Sequence, residues 1–171
     1  MIEAPQALEA ETALLYIALS SPEAIPEVLA AAPPRTFFRL GNRKMLEAMS
    51  GLHSRGAPVD TISLSHELQI RGELGACGGR EAIASLWESS AATENLTHYA
   101  ALVRQAWAAR ERVHIGQDLV NGAAVDSAAA RSLAARLSDL ESAAEGSNHA
   151  ATAWAAAGMS GTDLAQASLP A

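Results

Sequence analysis

TENLTHYAALVRQAWAARERVHIGQDLV, residues 93–120, is the stretch on which the fold class turns. Leu96, Tyr99, Leu102, Val103, Ala106, Trp107, Arg110 and Val113 recur at helical spacing. Thr93 offers a capping hydroxyl at the start, Leu119 and Val120 extend the pattern, and Asn121-Gly122 breaks it. Asp126 or Ser127 then caps a second helix. In it Ala130, Leu133, Leu137, Leu140 and Ala144 alternate steps of three and four, a heptad-like seam suited to helix-on-helix packing. Two such helices joined by a short turn predict an αα-hairpin.

Upstream, the same periodicity predicts shorter helices. Leu8, Leu15 and Leu19 follow Pro5, with Glu9 and Glu11 placed to favour the first turn of a helix. Ser21-Pro22-Glu23 reads as a second start, with Ile25, Val28 and Leu29 as the buried stripe and Pro33-Pro34 as the stop. Phe37 and Phe38 sit in the connection and are expected to plug the core from a loop. A third helix, about 41–55, carries Met45, Leu46, Met49 and Leu52 and closes at Gly56, with Pro58 just beyond. Ser63 is read as the cap of a short helix ending at Gly72, with Leu64 and Leu68 inward. A loop through Gly75, Gly78 and Gly79 leads to a fifth helix with Ile83, Leu86 and Trp87. Beyond Gly146 the chain is Ala, Ser and Gly with isolated anchors, Trp154 and Leu164, and reads as a flexible tail.

Composition agrees. In 171 residues there are 39 alanines and 20 leucines against 6 valines and 7 isoleucines. Ala and Leu lose little freedom in a helix, whereas β-branched residues lose more. The expected fold is therefore all-α: a compact multi-helix globular bundle over 1–92, a long helix and helical hairpin over 93–145, and a tail over 146–171. A chain of this size can bury a real core without staples. A single cysteine, Cys77, excludes an intrachain disulfide framework and makes a reducing, cytoplasmic setting the expectation. No run approaches the apolar length of a membrane span, and MIEAPQALEAE lacks the basic and apolar regions of a signal peptide.

The formal net charge is −7, and Lys44 is the only lysine. Eleven arginines are scattered among nineteen carboxylates, so tight nucleic-acid binding is not expected, although Arg35, Arg39 and Arg43 lie close enough for a local patch. Lys44 lies between Arg43 and Met45, which is no phosphate-binding loop. His66-Glu67 resembles the start of a zinc-protease helix, but position 70 is Ile, and the five histidines are dispersed. Cys77 has no evident histidine partner, the glycines at 75, 78 and 79 match no dinucleotide fingerprint, and no Gly-x-Ser-x-Gly elbow occurs. Asn95-Leu96-Thr97 fits a glycosylation pattern but falls inside a helix. No nucleophile, base and orienter can be assembled, so no catalytic, cofactor or metal residues are assigned.

Several short motifs fall in one order. They are Pro5 with Glu9-Ala10-Glu11, the Ser-Pro-Glu turn, Phe37, Gly56-Ala57-Pro58-Val59-Asp60, Glu67-Leu68, Arg71-Gly72-Glu73-Leu74, Gly78-Gly79, and Asn95, Tyr99, Val103 and Arg110. Over about residues 5–145 this order resembles the N-terminal domain of DnaB-type replicative helicases. Asn42 stands where that family commonly has a histidine, and Ala82 where it commonly has an aromatic residue. Thr162-Asp163-Leu164 to Pro170 is similar to the approach to a RecA-like ATPase core.

The resemblance implies a non-catalytic module of DNA replication and the primosome, in which hairpins pair between subunits and help build a hexameric ring. It implies primase (through its C-terminal domain) and helicase loaders as partners. ATP and magnesium would belong to the ATPase core alone. A free-standing helical adaptor or loader-like regulator of a helicase is the alternative. The physical argument adds a surface. Two helices packed only on each other leave their outer apolar edges wet. Leu102, Ala106, Trp107 and Val113, with Leu133, Leu137 and Leu140 opposite, are thus the expected self-association or partner surface, covered by a second copy in a homodimer.

Overall fold

The computed structural model describes residues 6–89, 91–121, 128 and 131–141. Pro5, the caps at Asp126 and Ser127, Ala130, the end of the predicted hairpin over 142–145 with Ala144, and the tail over 146–171 lie outside them. The helices are α1 (Leu8–Ser20), α2 (Ile25–Ala31), α3 (Leu40–Ser54), α4 (Thr61–Ile70), α5 (Gly79–Glu88) and α6 (Leu96–Asn121). A further helical stretch, α7, covers residues 131–141. Three short 3₁₀ turns precede α2, α3 and α6, and the described residues contain no strand.

Helix α1 is the centre of the globule. Leu14, Leu15, Ile17 and Ala18 are fully buried and Leu19 nearly so, which wraps apolar surface around most of its circumference. A helix apolar on so many sides must be surrounded; α2, α3, α5 and α6 all pack against it. Met45, Leu46, Met49 and Leu52 bring one face of α3 into the same core, joined by Leu64 and Leu68 of α4 and Ile83 and Leu86 of α5. Phe37 is fully buried from the α2–α3 connection and contributes about 2–3 kcal/mol of burial. Its neighbour Phe38 is 41% exposed, because successive residues of that extended link point to opposite sides. Trp87 likewise lies on the outer face of α5, against Tyr16, with ring centroids 6.2 Å apart.

Helix ends follow local chemistry, with corrections to the expected caps. Ser21 makes no side-chain cap; Pro22–Ala24 forms a 3₁₀ turn and α2 begins at Ile25. Asp60, not Ser63, caps α4, accepting from the Ile62 and Ser63 N–H groups at 2.9 and 2.8 Å. A carboxylate one residue before the helix reaches both orphan amides, whereas Ser63 is already inside. Thr93 opens a 3₁₀ turn and does not cap with its side chain. At the end of α3, Gly56 takes φ +66° while its N–H bonds to His53 O and that of Ala57 to Leu52 O, the paired closure that needs a left-handed residue.

Candidate protein-interaction surface

Helix α6 leaves the globule part-way along its length, and its two sides then have different jobs. Near its start, Leu96, Ala100 and Val103 belong to the main core. Further on, Ala108 and Ile115 are buried against Leu133 and Leu140 of α7, with Trp107 and Leu137 half-buried beside them. This second cluster is the interior of the helical hairpin. Asp118 and Arg136 add a 3.8 Å surface ion pair across it, worth little on its own.

The opposite side of α6 carries Leu102, Ala106, Ala109, Val113, Gly116 and Val120, whose positions alternate steps of four and three. That is the spacing of a packing seam. Leu102 is 38% exposed, Val113 48% and Val120 84%. The expected surface therefore divides. Trp107, Leu133, Leu137 and Leu140 come together inside the hairpin, while Leu102, Ala106 and Val113 lie on the outer stripe. Ala108 and Ile115 inside, and Ala109 and Val120 outside, were not assigned from sequence. For Ala109 and Val120 the available signal was their seven-residue spacing to Leu102 and Val113; Ala108 and Ile115 lie seven residues from each other but from no assigned residue.

Two arginines fasten α6 to the globule. Arg104 donates to Ala31 O, the last carbonyl of α2, and Arg110 donates to Thr36 O at 2.7 Å. Such bonds satisfy carbonyls that helix and turn ends leave without partners. Burial pulls both guanidinium groups below their ordinary values; for Arg110, Glu11 and Glu111 oppose that effect. The Arg110 guanidinium also lies 5.2 Å from the centroid of the Phe38 ring, within cation–π range.

Beneath this junction sits a buried carboxylate. Glu11 is 1% exposed and accepts from the Phe38 N–H, from Asn42 Nδ2 at 2.9 Å and, more weakly, from the Arg39 N–H at 3.4 Å. It caps the approach to α3 from another helix, a role its place in the first turn of α1 did not suggest. Arg43 donates Nη2 to Phe37 O at 2.9 Å, and its buried Nε has no hydrogen-bond partner among the described residues.

Elsewhere, Cys77 is buried, its Sγ 3.5 Å from Gly41 O, and burial followed by the nearby Glu73 charge pushes its thiol upward. His66 is exposed on α4 beside an open cleft of about 640 Å³ lined by Ile62, Ile83 and Trp87. Among the described residues no group of three His, Cys, Asp or Glu side chains could hold a metal ion. No single described helix is long and apolar enough to cross a membrane.

The architecture is thus an all-α globule from which a helical hairpin extends. A solved structure shares it: the crystal structure of the N-terminal domain of DnaB helicase from Mycobacterium tuberculosis superposes with a TM-score of 0.73 at 28% identity, covering 80% of this chain and 99% of that one. The family described as DnaB-like helicase N terminal domain matches residues 3–105. The chain belongs to that family. The replicative DNA helicase DnaB of Synechocystis is 30% identical over 117 residues, which cover 68% of this chain and 13% of the relative. That of Mycobacterium leprae is 31% identical over 116 residues, covering 68% and 19%. That of Geobacillus stearothermophilus is 30% identical over 101 residues, covering 59% and 22%. The chain thus matches less than a quarter of the length of each of these curated relatives.

Proposed function

We propose that this chain is a non-catalytic assembly and docking module of a replicative DNA helicase. Copies pair along the outer stripe of α6, and the globule offers surface to other replication proteins, with primase and helicase-loading proteins as the partners implied by family membership. The observation that carries the pairing is the second apolar face of α6. The hairpin interior already satisfies Ala108 and Ile115, yet Leu102, Val113 and Val120 remain in water on the other side. A single helix that keeps two apolar faces has a use for both. An isologous contact between two copies covers this stripe with itself.

The test is light scattering with circular dichroism on the wild type and Val113→Asp. Val113 is half in water, so the substitution leaves the helix folded, while at a paired seam it buries an unpaired carboxylate from each copy. The expected result is a dimeric wild type and a monomeric variant with unchanged helicity. A wild type that stays monomeric at about 100 μM, well above micromolar affinities, removes the pairing. The chain is also expected not to hydrolyse ATP, since it has no phosphate-binding loop. ATP turnover that follows the chain through successive columns would contradict this.

A further inference from the structure

Around Phe38 the chain concentrates arginine. Arg35 and Arg39 are exposed on the α2–α3 connection, Arg43 lies one turn into α3, and Arg110 reaches over the Phe38 ring from α6. Arg35, Arg39 and Arg43 are not among the residues of the ion pairs that Lys44, Arg55, Arg71 and Arg136 form elsewhere on the described surface. Two apolar side chains emerge in the same place, Phe38 at 41% and Leu40 at 57% exposure. In a chain of net charge −7 this is a local reversal of sign with an apolar centre.

We propose that this patch docks an acidic segment of a partner protein, one that carries aliphatic side chains between its carboxylates. Two observations favour that occupant. Arginine forks match carboxylates in a bidentate manner; Arg35 and Arg39 present theirs at the surface, while Arg43 and Arg110 bond the Phe37 and Thr36 carbonyls, and together they flank an apolar spot instead of lining a continuous basic groove. Leu40 offers an aliphatic anchor point that a nucleobase, which stacks on flat rings, does not use. A long polyanion would feel the acidic remainder of the chain, whereas a short segment within about 8 Å of the arginines at physiological salt feels mainly the patch. This extends the docking half of the proposed function and is independent of the pairing half, because it uses a different surface from the outer stripe of α6.

The experiment measures fluorescence anisotropy of three labelled probes on the full chain at physiological salt. The probes are a short synthetic peptide of aspartate, glutamate and leucine, the same peptide with asparagine and glutamine in place of its acids, and oligothymidylate. The acidic peptide is expected to bind and the neutral one not. The double variant Arg35→Glu with Arg39→Glu, at exposed positions, is expected to weaken binding by roughly tenfold or more, as loss of an interface arginine does. Leu40→Ala should weaken it by a smaller factor, and Arg80→Glu, on α5, should leave it unchanged. Oligothymidylate binding as tightly as the acidic peptide, and lost in the double variant, overturns the proposal in favour of a nucleic-acid surface. Absence of acidic-peptide binding, or binding that the double variant keeps, overturns it outright. Light scattering on the same samples reads the pairing separately, so the two ideas fail independently.

Discussion

Replacing Glu11 with alanine should destabilise the globule far more than replacing Glu9, although both acids occupy the first turn of α1. Glu11 is 1% exposed, and its carboxylate serves the Phe38 N–H and the Asn42 amide, itself 8% exposed. Removing it leaves those two donors buried without an acceptor, at about 1–3 kcal/mol each, and opens a small void. Relief from holding a charge away from water offsets part of that. The expected net loss is about 3 kcal/mol, or a fall in melting temperature of roughly 6–12 °C for a chain of this length. Glu11→Gln keeps the shape and one acceptor oxygen, so it should lose about half as much. Glu9→Ala, at an exposed position, should stay within about 0.5 kcal/mol. Urea unfolding followed by circular dichroism measures all three. If Glu11 acted only as a first-turn acid facing the helix dipole, both alanine variants would cost the same few tenths of a kcal/mol. Equal midpoints for Glu9→Ala and Glu11→Ala would therefore refute the capping role.

Asp60→Ala should cost about 1 kcal/mol through the lost cap of α4. Hydrogen bonding, chiefly from the Ser63 N–H, holds the Asp60 carboxyl below its ordinary value, so its contribution is complete above the unfolded value near 4 and fades as pH falls through the folded one; wild-type and variant urea midpoints should converge in acid. Gly41→Ala places a Cβ 2.8 Å from Ala76 O and 3.1 Å from Cys77 Cα, both backbone, and should cost about 1–3 kcal/mol in thermal melts. Gly75→Ala, with open space around it, should change little by comparison. Leu137→Asp puts a carboxylate into the hairpin interior and should make the far half of α6 sensitive to protease while the globule still melts cooperatively; an undiminished resistance to cleavage would place Leu137 outside the hairpin's packing.

The hairpin shows how far periodicity reaches. Leu133, Leu137 and Leu140 were legible as a seam because three- and four-residue steps leave one face for them, and they do meet α6. On α6 the same rule is ambiguous, since Leu102, Val103, Ala106, Trp107 and Val113 wrap around more than one face. Small residues decide which face is which: Ala108, buried to 1%, lets α7 approach, and alanine carries almost no signal in a chain with 39 of them. The split between an inner Trp107 and an outer Val113 therefore came from the three-dimensional arrangement.

Local chemistry alone determined the all-α class, the places of the helices and the closure at Gly56, because each depends on neighbours within a turn or two of chain, whereas which of Phe37 and Phe38 is buried was decided by packing. The motif order that resembles the DnaB-type N-terminal domain was also present in the sequence, and the comparisons place the chain in that family. Contacts across long separations were decided only on folding. Glu11 meets Asn42 across 31 positions, Arg104 meets Ala31 across 73 and Arg110 meets Thr36 across 74. No window of sequence distinguishes a solvent-facing first-turn glutamate from one that folding drives beneath another helix. The difference lies in which element covers it, and that is settled by how α1, α3 and α6 pack together to bury their shared apolar surface.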